Sequence, residues 1–490
     1  MSVTHVFVLM LENRSFDNLF GMSGIPGIIT EAPGNKNTFQ GIDYPVQKGA
    51  PFSMPTDPGH EFDDVVVQLA GVDAQYPPGG DYPTINNSGF AASYATTTTE
   101  GPVPGAANIG DIMKCFDTSV QLPVIYQLAT EFALCDHWFS SMPGPTWPNR
   151  FFVHGASSAG LDHSPSKDQV AAWEGNPLGG FTYPNGSIYD ALNHAGIAWR
   201  IYNDTNGPLV GRIPQVTSLK GVSFLRVHPL ARLGQDLQGS YPYRYTFIEP
   251  NYGNIANDTY AGGSSQHPMD SVIGGEKLIK TVYETIRNSP LWLNSLLVIT
   301  YDEHGGFYDS IAPNNAVAPD DGASDQLNNS KFTFKQYGVR VPAVIVSPLI
   351  PKGVVDHTVY DHSSIPATLE RLFGFPALTQ RDAQANDLQG LLTLSTPRDT
   401  PTTLNNPASV HAAFSVTAAQ RPAAPNEPLP KRGVLPSMLG VMLKTELELA
   451  GPNPADRTAI HARFNAIKTK AQAKAYIESV MAKADAVKMA

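Results

Sequence analysis

The residues most able to do chemistry follow short apolar runs. Glu12 and Asn13 end the first run of the chain, and Asp302 and Glu303 end a later one. Ligands of open α/β sheets bind at the carboxyl ends of strands, so neighbouring strands would bring these side chains together. Clustered carboxylates repel and need a cation to stay ionised. The pattern predicts a divalent metal held by oxygen atoms, with Mg²⁺, Ca²⁺ or Mn²⁺ favoured and Zn²⁺ compatible. A helix cap at Glu12 and a turn at Asp302 are the structural alternatives.

A proline-rich segment places a threonine in an unusual setting. Its sequence is Pro143-Gly144-Pro145-Thr146-Trp147-Pro148-Asn149-Arg150. The flanking prolines predict a rigid turn around Thr146, after the apolar run 132–134. A fixed hydroxyl beside a metal can be deprotonated and attack phosphorus. Taken alone, the same threonine is equally typical of an ordinary turn.

Three histidines stand where a ligand could reach them. His60 and His267 lie in predicted loops, and His362 precedes a predicted helix at 365–372, with Ser363 or Ser364 as its N-cap. Such histidines can hold an anion or give a proton to a leaving group. The chain has 13 histidines, so each one alone is a weak indication.

Strand and helix patterns alternate along the chain. Continuous apolar runs predict strands buried on both faces at residues 5–11, 245–248, 296–300 and 339–347. Helical patterns occupy residues 122–133, 188–195, 276–287 and 365–372. This alternation predicts a three-layer α/β fold with a mostly parallel central sheet. Loops are predicted at 35–59, 75–110 and 312–331, which are rich in Pro, Gly, Asn and Ser.

Composition narrows the class of protein. The chain has 490 residues, 42% of them apolar, which excludes a small disulfide-stapled protein. The net charge of −11 makes a general nucleic-acid binder a poor fit. No apolar run reaches the ~18 residues of a membrane-spanning helix. No signal peptide is visible, which predicts a cytoplasmic location or export by a signal-less route. Cys115 and Cys135 could pair, but two cysteines do not report the compartment.

Three parts are predicted along the chain. They are a catalytic domain at 1–395, a Pro-rich linker at 396–434 and a helical segment at 435–490. Residues 451–490 hold seven Lys or Arg and three Asp or Glu. This basic segment predicts a solvated helical face with one apolar stripe at Ile460, Phe464 and Ile467. Peripheral contact with a membrane stays open as the alternative.

Six motifs occur in the order seen in one known family. They are Glu12-Asn13-Arg14-Ser15-Phe16-Asp17, Pro143-Gly144-Pro145-Thr146 with Pro148-Asn149-Arg150, Phe247-Ile248-Glu249-Pro250, Thr300-Tyr301-Asp302-Glu303-His304-Gly305-Gly306-Phe307-Tyr308-Asp309, Gly338-Val339-Arg340-Val341-Pro342, and His362-Ser363-Ser364-Ile365-Pro366. From about residue 4 to 375 the chain resembles the phosphoesterase family of bacterial acid phosphatases and bacterial and plant phosphatidylcholine-type (non-specific) phospholipases C.

The resemblance implies an alkaline-phosphatase-like core and metal-assisted phosphoryl transfer. It assigns the metal to Glu12, Asn13, Thr146, Asp302 and Glu303, with Thr146 also the nucleophile. His60 and His267 would contact the phosphoryl group, His267 would protonate the leaving alcohol, and His362 is a further candidate of the site. Thr146 resembles the phospholipase branch, whereas another branch uses serine.

Three features depart from the family pattern. Asn18-Leu19 replaces a more usual His-Tyr, His137 stands where Arg is common, and a twin-arginine export signal is absent from this sequence. The first two touch no predicted ligand. The third leaves the secreted location of many members unsupported here.

The sequence thus predicts a metal-dependent phosphoric ester hydrolase, with phospholipase C favoured over an acid phosphatase acting on monoesters. The substrate would be a phospholipid or another phosphate ester, and the oligomeric state is not indicated. A non-catalytic, metal-dependent lipid-binding protein is the alternative of another class. A Ser-His-Asp hydrolase is disfavoured because no Gly-x-Ser-x-Gly motif occurs.

Overall fold

The computed structural model describes residues 2–98, 102–174, 179–257, 259–409, 426–431 and 433–489. Strands β1 to β12, numbered in chain order, are His5–Leu11, Lys36–Phe39, Ile42–Pro45, Gln47–Lys48, Lys114–Cys115, Ala133–Cys135, Trp199–Asn203, His228–Pro229, Tyr245–Glu249, Ser295–Tyr301, Ala343–Val346 and Val354–Asp356. Helices α1 to α15 are Phe16–Phe20, Phe62–Ala70, Phe90–Thr96, Thr118–Gln121, Pro123–Glu131, Thr146–Gly155, Lys167–Glu174, Ile188–His194, Leu233–Gln238, Val272–Arg287, Ser364–Phe373, Gln380–Gln384, Val434–Ala450, Pro454–Asn465 and Lys470–Met489.

An eight-stranded sheet organises the molecule. Its strand order is β12-β6-β11-β10-β1-β9-β7-β8. Strand β11 runs antiparallel to both of its neighbours, and the other pairings are parallel. Strands β9, β10 and β11 are buried at every residue, so helices and loops must cover both faces of the sheet. The predicted α/β fold with a mostly parallel sheet is confirmed.

The pairing of β1 with β10 positions the predicted site. These two strands are parallel neighbours, and Leu11 pairs with Tyr301 at their last residues. The segments that follow β1 and β10 therefore leave the sheet at the same edge, so Glu12 and Asp302 lie side by side. Strand β9 flanks β1 on its other side, also in parallel, and ends at Glu249.

The helical patterns are confirmed at α5, α8, α10 and α11, but two predicted loops contain regular structure. Residues 35–59 include the β2–β3 hairpin and the short strand β4, and residues 75–110 include α3. The hairpin turns at Gln40-Gly41, where both φ angles are positive (51° and 79°), as the tight turns of two-residue hairpins require. Polar composition hid these elements because the β2 and β3 side chains are mostly exposed.

The C-terminal segment is helical, as predicted. Helix α13 is buried from Val434 to Leu447 and packs against α7, α14 and α15. The predicted stripe of Ile460, Phe464 and Ile467 is buried. Much of the predicted linker, residues 410–425, lies outside the described residues, and the domain boundaries stay predictions. Across the described ranges, every helix is too short or too polar to cross a bilayer.

The two cysteines do not pair. Cys115 and Cys135 are both free and buried. Burial raises the pKa of each thiol well above its ordinary value, which keeps both protonated.

Candidate active site

The two acidic motifs are locked together where β1 and β10 end. The backbone N–H of Asn13 donates to Oδ1 of Asp302 at 3.0 Å, and that of Arg14 donates to the Glu303 carbonyl at 2.9 Å. Asn13 has a left-handed backbone, with φ of 59°. Gly305 passes so close that an added Cβ would lie 2.2 Å from the Asn13 carbonyl oxygen. Glycine is therefore required there, which explains part of the motif that follows Glu303.

The donor atoms of this corner suit a divalent cation. Both carboxylate oxygens of Glu12 and Oε1 of Glu303 are buried and have no hydrogen-bond partner of ordinary geometry among the described residues. Unpaired buried carboxylates are costly, and a cation would satisfy them. With Asn13 and Thr146 beside them, the donors are all oxygens, as hard ions prefer. The residues present therefore fit the predicted metal.

Burial governs the protonation of these carboxyl groups. It raises the pKa of Glu12 well above its ordinary value, against the opposing charge of Arg150. Burial raises the pKa of Asp302 to about 7, with Glu303 adding to the rise and Arg150 opposing it. A bound cation would favour the ionised forms of both groups.

Thr146 begins helix α6, which corrects the predicted turn. Pro145 is the N-cap residue, and Pro148 lies in the first turn, where a helical N–H has no intrahelical partner. The side-chain amide of Asn149 donates to the carbonyls of Met142 and Gly144 at 3.2 and 3.0 Å, which fixes the approach to the helix. Oγ1 of Thr146 lies 3.4 Å from Oδ1 of Asn13, so the hydroxyl points at the acidic corner.

Arg150 supplies the positive charge that this corner needs. It lies one helical turn after Thr146 and is fully buried. Its Nε donates to Oδ2 of Asp302 at 2.9 Å, and its Nη1 donates to Glu249 at 3.1 Å. Glu249 also accepts hydrogen bonds from the Val216 N–H and the Tyr252 hydroxyl. Glu249 thus orients Arg150.

His60 and His267 form a pair, with ring centroids 6.5 Å apart. Nδ1 of His60 lies 2.8 Å from the Pro58 carbonyl, which fixes the ring with Nδ1 as the donor. The His267 ring stacks on Tyr260 at 3.4 Å, and its Nε2 lies 3.6 Å from Oδ1 of Asp57.

The two histidines have opposite electrostatic settings. Burial lowers the pKa of His60, but Glu303, Asp57 and the Pro58 carbonyl outweigh it and raise the pKa to about 10. Burial, assisted by the charges of His60 and Arg14, lowers the pKa of His267 well below its ordinary value. These opposite shifts favour a proton on His60 over one on His267.

His362 positions a backbone and has no ring nitrogen left for a substrate. Its Nε2 lies 2.6 Å from the Asp302 carbonyl oxygen, and its Nδ1 accepts a hydrogen bond from the Trp138 indole at 3.2 Å. These contacts select the tautomer protonated on Nε2. We therefore expect a positioning role for His362, and its membership of the catalytic group stays a prediction. Ser363, not Ser364, is the N-cap residue of α11.

Sequence reasoning missed several residues that support the site. Arg150 stands in a quoted motif and Asp57 lies three residues before His60, yet spacing alone does not reveal that each pairs with a group from another segment. Gln68 accepts a hydrogen bond from Nε2 of His304 at 2.7 Å, and Nδ1 of His304 lies 3.3 Å from Glu303. The contact between His304 and Gln68 joins residues 236 positions apart, and no local pattern marks it.

One further cluster can hold a metal ion. In the described part of the chain, Asp136, His137 and His357 form the one group of three His, Cys, Asp or Glu side chains whose ligand atoms all lie within 4.8 Å of one another. It is separate from the predicted set.

Comparison with known proteins shows the family of this chain. The sequence profile of the Phosphoesterase family matches residues 3–376. The chain belongs to the Phosphoesterase family. This phosphoesterase is therefore a phosphoric ester hydrolase, as the motifs predicted.

Two relatives show how far the likeness of this phosphoesterase extends. It is 37% identical to non-specific phospholipase C6 of Arabidopsis thaliana over 433 residues, or 83% of this chain and 76% of the relative. It is 24% identical to phospholipase C B of Mycobacterium tuberculosis over 503 residues, or 92% and 87%. Among solved structures, it is similar to an alkaline phosphatase superfamily protein from Vibrio parahaemolyticus, with a TM-score of 0.34, 11% identity, and coverage of 80% and 72%.

Proposed function

We propose that this phosphoesterase is a phospholipase C that removes phosphorylated head groups through a phospho-threonine intermediate. One observation carries the proposal: the Thr146 hydroxyl contacts Asn13 beside buried carboxylate oxygens of Glu12 and Glu303 that have no hydrogen-bond partner of ordinary geometry among the described residues. The curated relatives carry phospholipase C names, which supports a diester substrate over a monoester.

The metal would be held by Glu12, Asn13, Thr146, Asp302 and Glu303. When bound, a divalent cation supplies Lewis acidity and lowers the pKa of a coordinated hydroxyl. The oxygen donors favour Ca²⁺, Mg²⁺ or Mn²⁺, and Zn²⁺ also accepts carboxylates.

Thr146 acts as the nucleophile in this scheme. Its hydroxyl loses its proton to solvent, and the oxygen attacks phosphorus in line. A phosphoester to Thr146 forms while the bond from phosphorus to the diacylglycerol oxygen breaks. Water then attacks the phospho-threonine and releases the phosphorylated head group. The free N–H groups at the start of α6 favour an anion beside Thr146.

His60 is better suited than His267 to give the proton to the leaving alcohol. The pKa of His60 is raised and that of His267 is lowered, which favours a proton on His60 over one on His267. The Asp57 charge and the Pro58 carbonyl act on His60 independently of any ion beside Glu303. His267 then serves as a neutral contact for the phosphoryl oxygens, oriented by Tyr260. In this arrangement His60 protonates the leaving alcohol, which is the role first predicted for His267.

Several aromatic side chains of the segment 76–94 pack inside the protein and are not available to bind acyl chains. Tyr76, Phe90 and Tyr94 are buried, and Tyr76 packs against Phe62 and Phe332. Peripheral membrane contact stays part of the proposal to be tested.

A substrate comparison tests the proposal. Purified protein is incubated with phosphatidylcholine vesicles and, separately, with p-nitrophenyl phosphate, each with and without chelator. We expect phosphocholine and diacylglycerol, lost on chelation and restored by a divalent cation.

Other results would move the assignment. Hydrolysis of the monoester alone would place the protein with the acid phosphatases. Vesicle binding without product would favour the non-catalytic lipid-binding alternative. Undiminished lipid hydrolysis after chelation would contradict the metal-dependent scheme.

A further inference from the structure

The Asp136–His137–His357 cluster lies at the carboxyl ends of β12, which is an edge strand of the sheet, and of its neighbour β6. Asp136 follows β6, His357 follows β12, and these strands are parallel partners with Cys135 opposite Asp356. The Asp136 N–H donates to the Asp356 carbonyl at 3.1 Å, which extends the pairing. Strand β6 is also parallel to β10, because β11 runs antiparallel to both. The cluster therefore occupies the same sheet edge as the proposed active site, two strand spacings or about 10 Å from β10.

The three side chains already point at one another. Nδ1 of His137 lies 2.8 Å from Oδ1 of Asp136. Nδ1 of His357 lies 2.9 Å from each oxygen of the same carboxylate. The Ile29 N–H donates to Oδ2 at 2.7 Å and helps to fix the carboxylate. Two imidazole nitrogens and one carboxylate thus converge without any rearrangement of the backbone.

The backbone beneath the cluster is rigidly held. Nη1 of the buried Arg340 donates to the carbonyls of Asp136 and Ile29 at 2.7 and 2.8 Å. The Tyr360 N–H donates to the His137 carbonyl at 2.9 Å, which ties the segment after β12 to the segment after β6. Ligands carried on fixed backbone lose little entropy when they bind an ion.

One side of the cluster faces solvent. The Asp136 side chain is fully buried, whereas those of His137 and His357 are 16% and 48% exposed. An ion can reach this position from solvent, and water can complete its coordination. Zinc sites with three protein ligands and an open position have this composition.

We propose that Asp136, His137 and His357 form a second metal site, specific for a divalent transition ion such as Zn²⁺. Imidazole nitrogen suits Zn²⁺ and disfavours Mg²⁺ and Ca²⁺, whereas the donors around Glu12 are all oxygens. The protein would then carry two ions of different chemistry on one sheet edge. This second site does not depend on the proposed phospholipase C activity.

Metal content tests the proposal without any activity measurement. Full-length protein is stripped with chelator, loaded with Zn²⁺ in a large excess of Ca²⁺ and Mg²⁺, passed through a desalting column and measured by elemental analysis. We expect the wild type to retain one more equivalent of zinc than His357→Ala and the double variant H137A/H357A. The exposed His194 lies on α8, and His194→Ala serves as the matched control that keeps the wild-type zinc content.

A second measurement keeps the proposal falsifiable if a variant folds poorly. Crystals of the wild-type protein are soaked in Zn²⁺ and measured at the zinc absorption edge. We expect an anomalous peak about 2.0–2.1 Å from a nitrogen of each histidine. Equal zinc content in wild type and folded variants, or no peak at the cluster, would show that the two histidines only hydrogen-bond the carboxylate.

Discussion

Two clusters share one edge of the central sheet, and they differ in their donors. The cluster around Glu12 and Asp302 presents oxygens, several of them buried without partners, beside the Thr146 hydroxyl. The cluster around Asp136 contains two imidazoles, its carboxylate oxygens are hydrogen-bonded, and no hydroxyl aims at it in the contacts described. The same strand-end geometry thus supports two chemistries. Residue type, more than location in the fold, separates the two proposed ion sites, since only the oxygen-rich cluster has a hydroxyl beside it that could act as a nucleophile.

Removal of the nucleophile should give the largest difference between the clusters. Thr146→Ala is expected to lower the rate of hydrolysis by about 10⁴-fold or more, since no other hydroxyl contacts Asn13 among the described residues. Steady-state assays on phosphatidylcholine vesicles measure the effect. Thr358→Ala is the matched control, because that hydroxyl bonds Asp356 beside the second cluster. A rate within tenfold of wild type for Thr146→Ala would assign the nucleophile elsewhere.

Both clusters depend on a buried arginine for stability. Arg150→Met leaves Asp302 and Glu249 buried without their cation, and Arg340→Met does the same to Asp17 and Asp309. Each change should lower the free energy of unfolding by about 3–5 kcal/mol, measured by urea denaturation. Arg232 is 55% exposed and 3.8 Å from Asp236, so Arg232→Met should cost at most about 1 kcal/mol. Equal costs at all three positions would remove the claimed role of the buried pairs.

The pH dependence tests the charge on His60. The folded pKa is about 10, above the ordinary 6.5. The stability that protonation contributes is therefore complete below pH 6.5 and is lost as pH rises through about 10. Activity requires the metal, whose charge offsets that of Glu303, so activity should fall at an alkaline pH below about 10, and His60→Gln should lower the rate by about 10²-fold and remove this limb of the pH–rate profile. An unchanged alkaline limb in the variant would assign the proton to another group, and the same profile for His267→Gln tests that histidine.

Zinc should stabilise the protein through the second cluster by a smaller amount. At a free concentration ten times the dissociation constant, binding adds about 1.4 kcal/mol to the free energy of unfolding. We expect this gain in wild type and its absence in His357→Ala, both measured with excess Ca²⁺ present. The same zinc-dependent gain in the variant would place the ion at another position.

The comparison also shows what the sequence could predict. Strands β1 and β10 are long, continuous apolar runs. The sequence alone therefore predicts both strands and identifies the polar residues that follow them. Glu12, Asn13, Asp302 and Glu303 were found in this way, and the structure brings them together.

The second cluster escaped prediction for a physical reason. Strands β6 and β12 have three residues each, and their pairing is set by tertiary packing. His137 was noted only as a departure from the family pattern, and His357 was not singled out. Their meeting at Asp136 depends on a register that no local pattern encodes.

Other differences come from competing local signals. The prolines around Thr146 suggested a turn, but Pro148 is compatible with the first turn of a helix, and Asn149 fixes the segment before it. His362 was grouped with the catalytic histidines because it precedes a helix. Its hydrogen bonds to Trp138 and to the Asp302 carbonyl, which define its role, come from distant segments.

The stereochemistry at phosphorus tests the nucleophilic role of Thr146 most directly. The substrate is a phospholipid analogue in which sulfur replaces one non-bridging phosphoryl oxygen, so that the phosphorus is chiral and has a single configuration. It is hydrolysed in water enriched in the heavy isotope of oxygen. Attack by Thr146 followed by attack of water makes two in-line displacements, each inverting the phosphorus, so the account predicts net retention of configuration in the released thiophosphate. Net inversion would mean that water attacks the substrate directly, which would contradict a phospho-threonine intermediate.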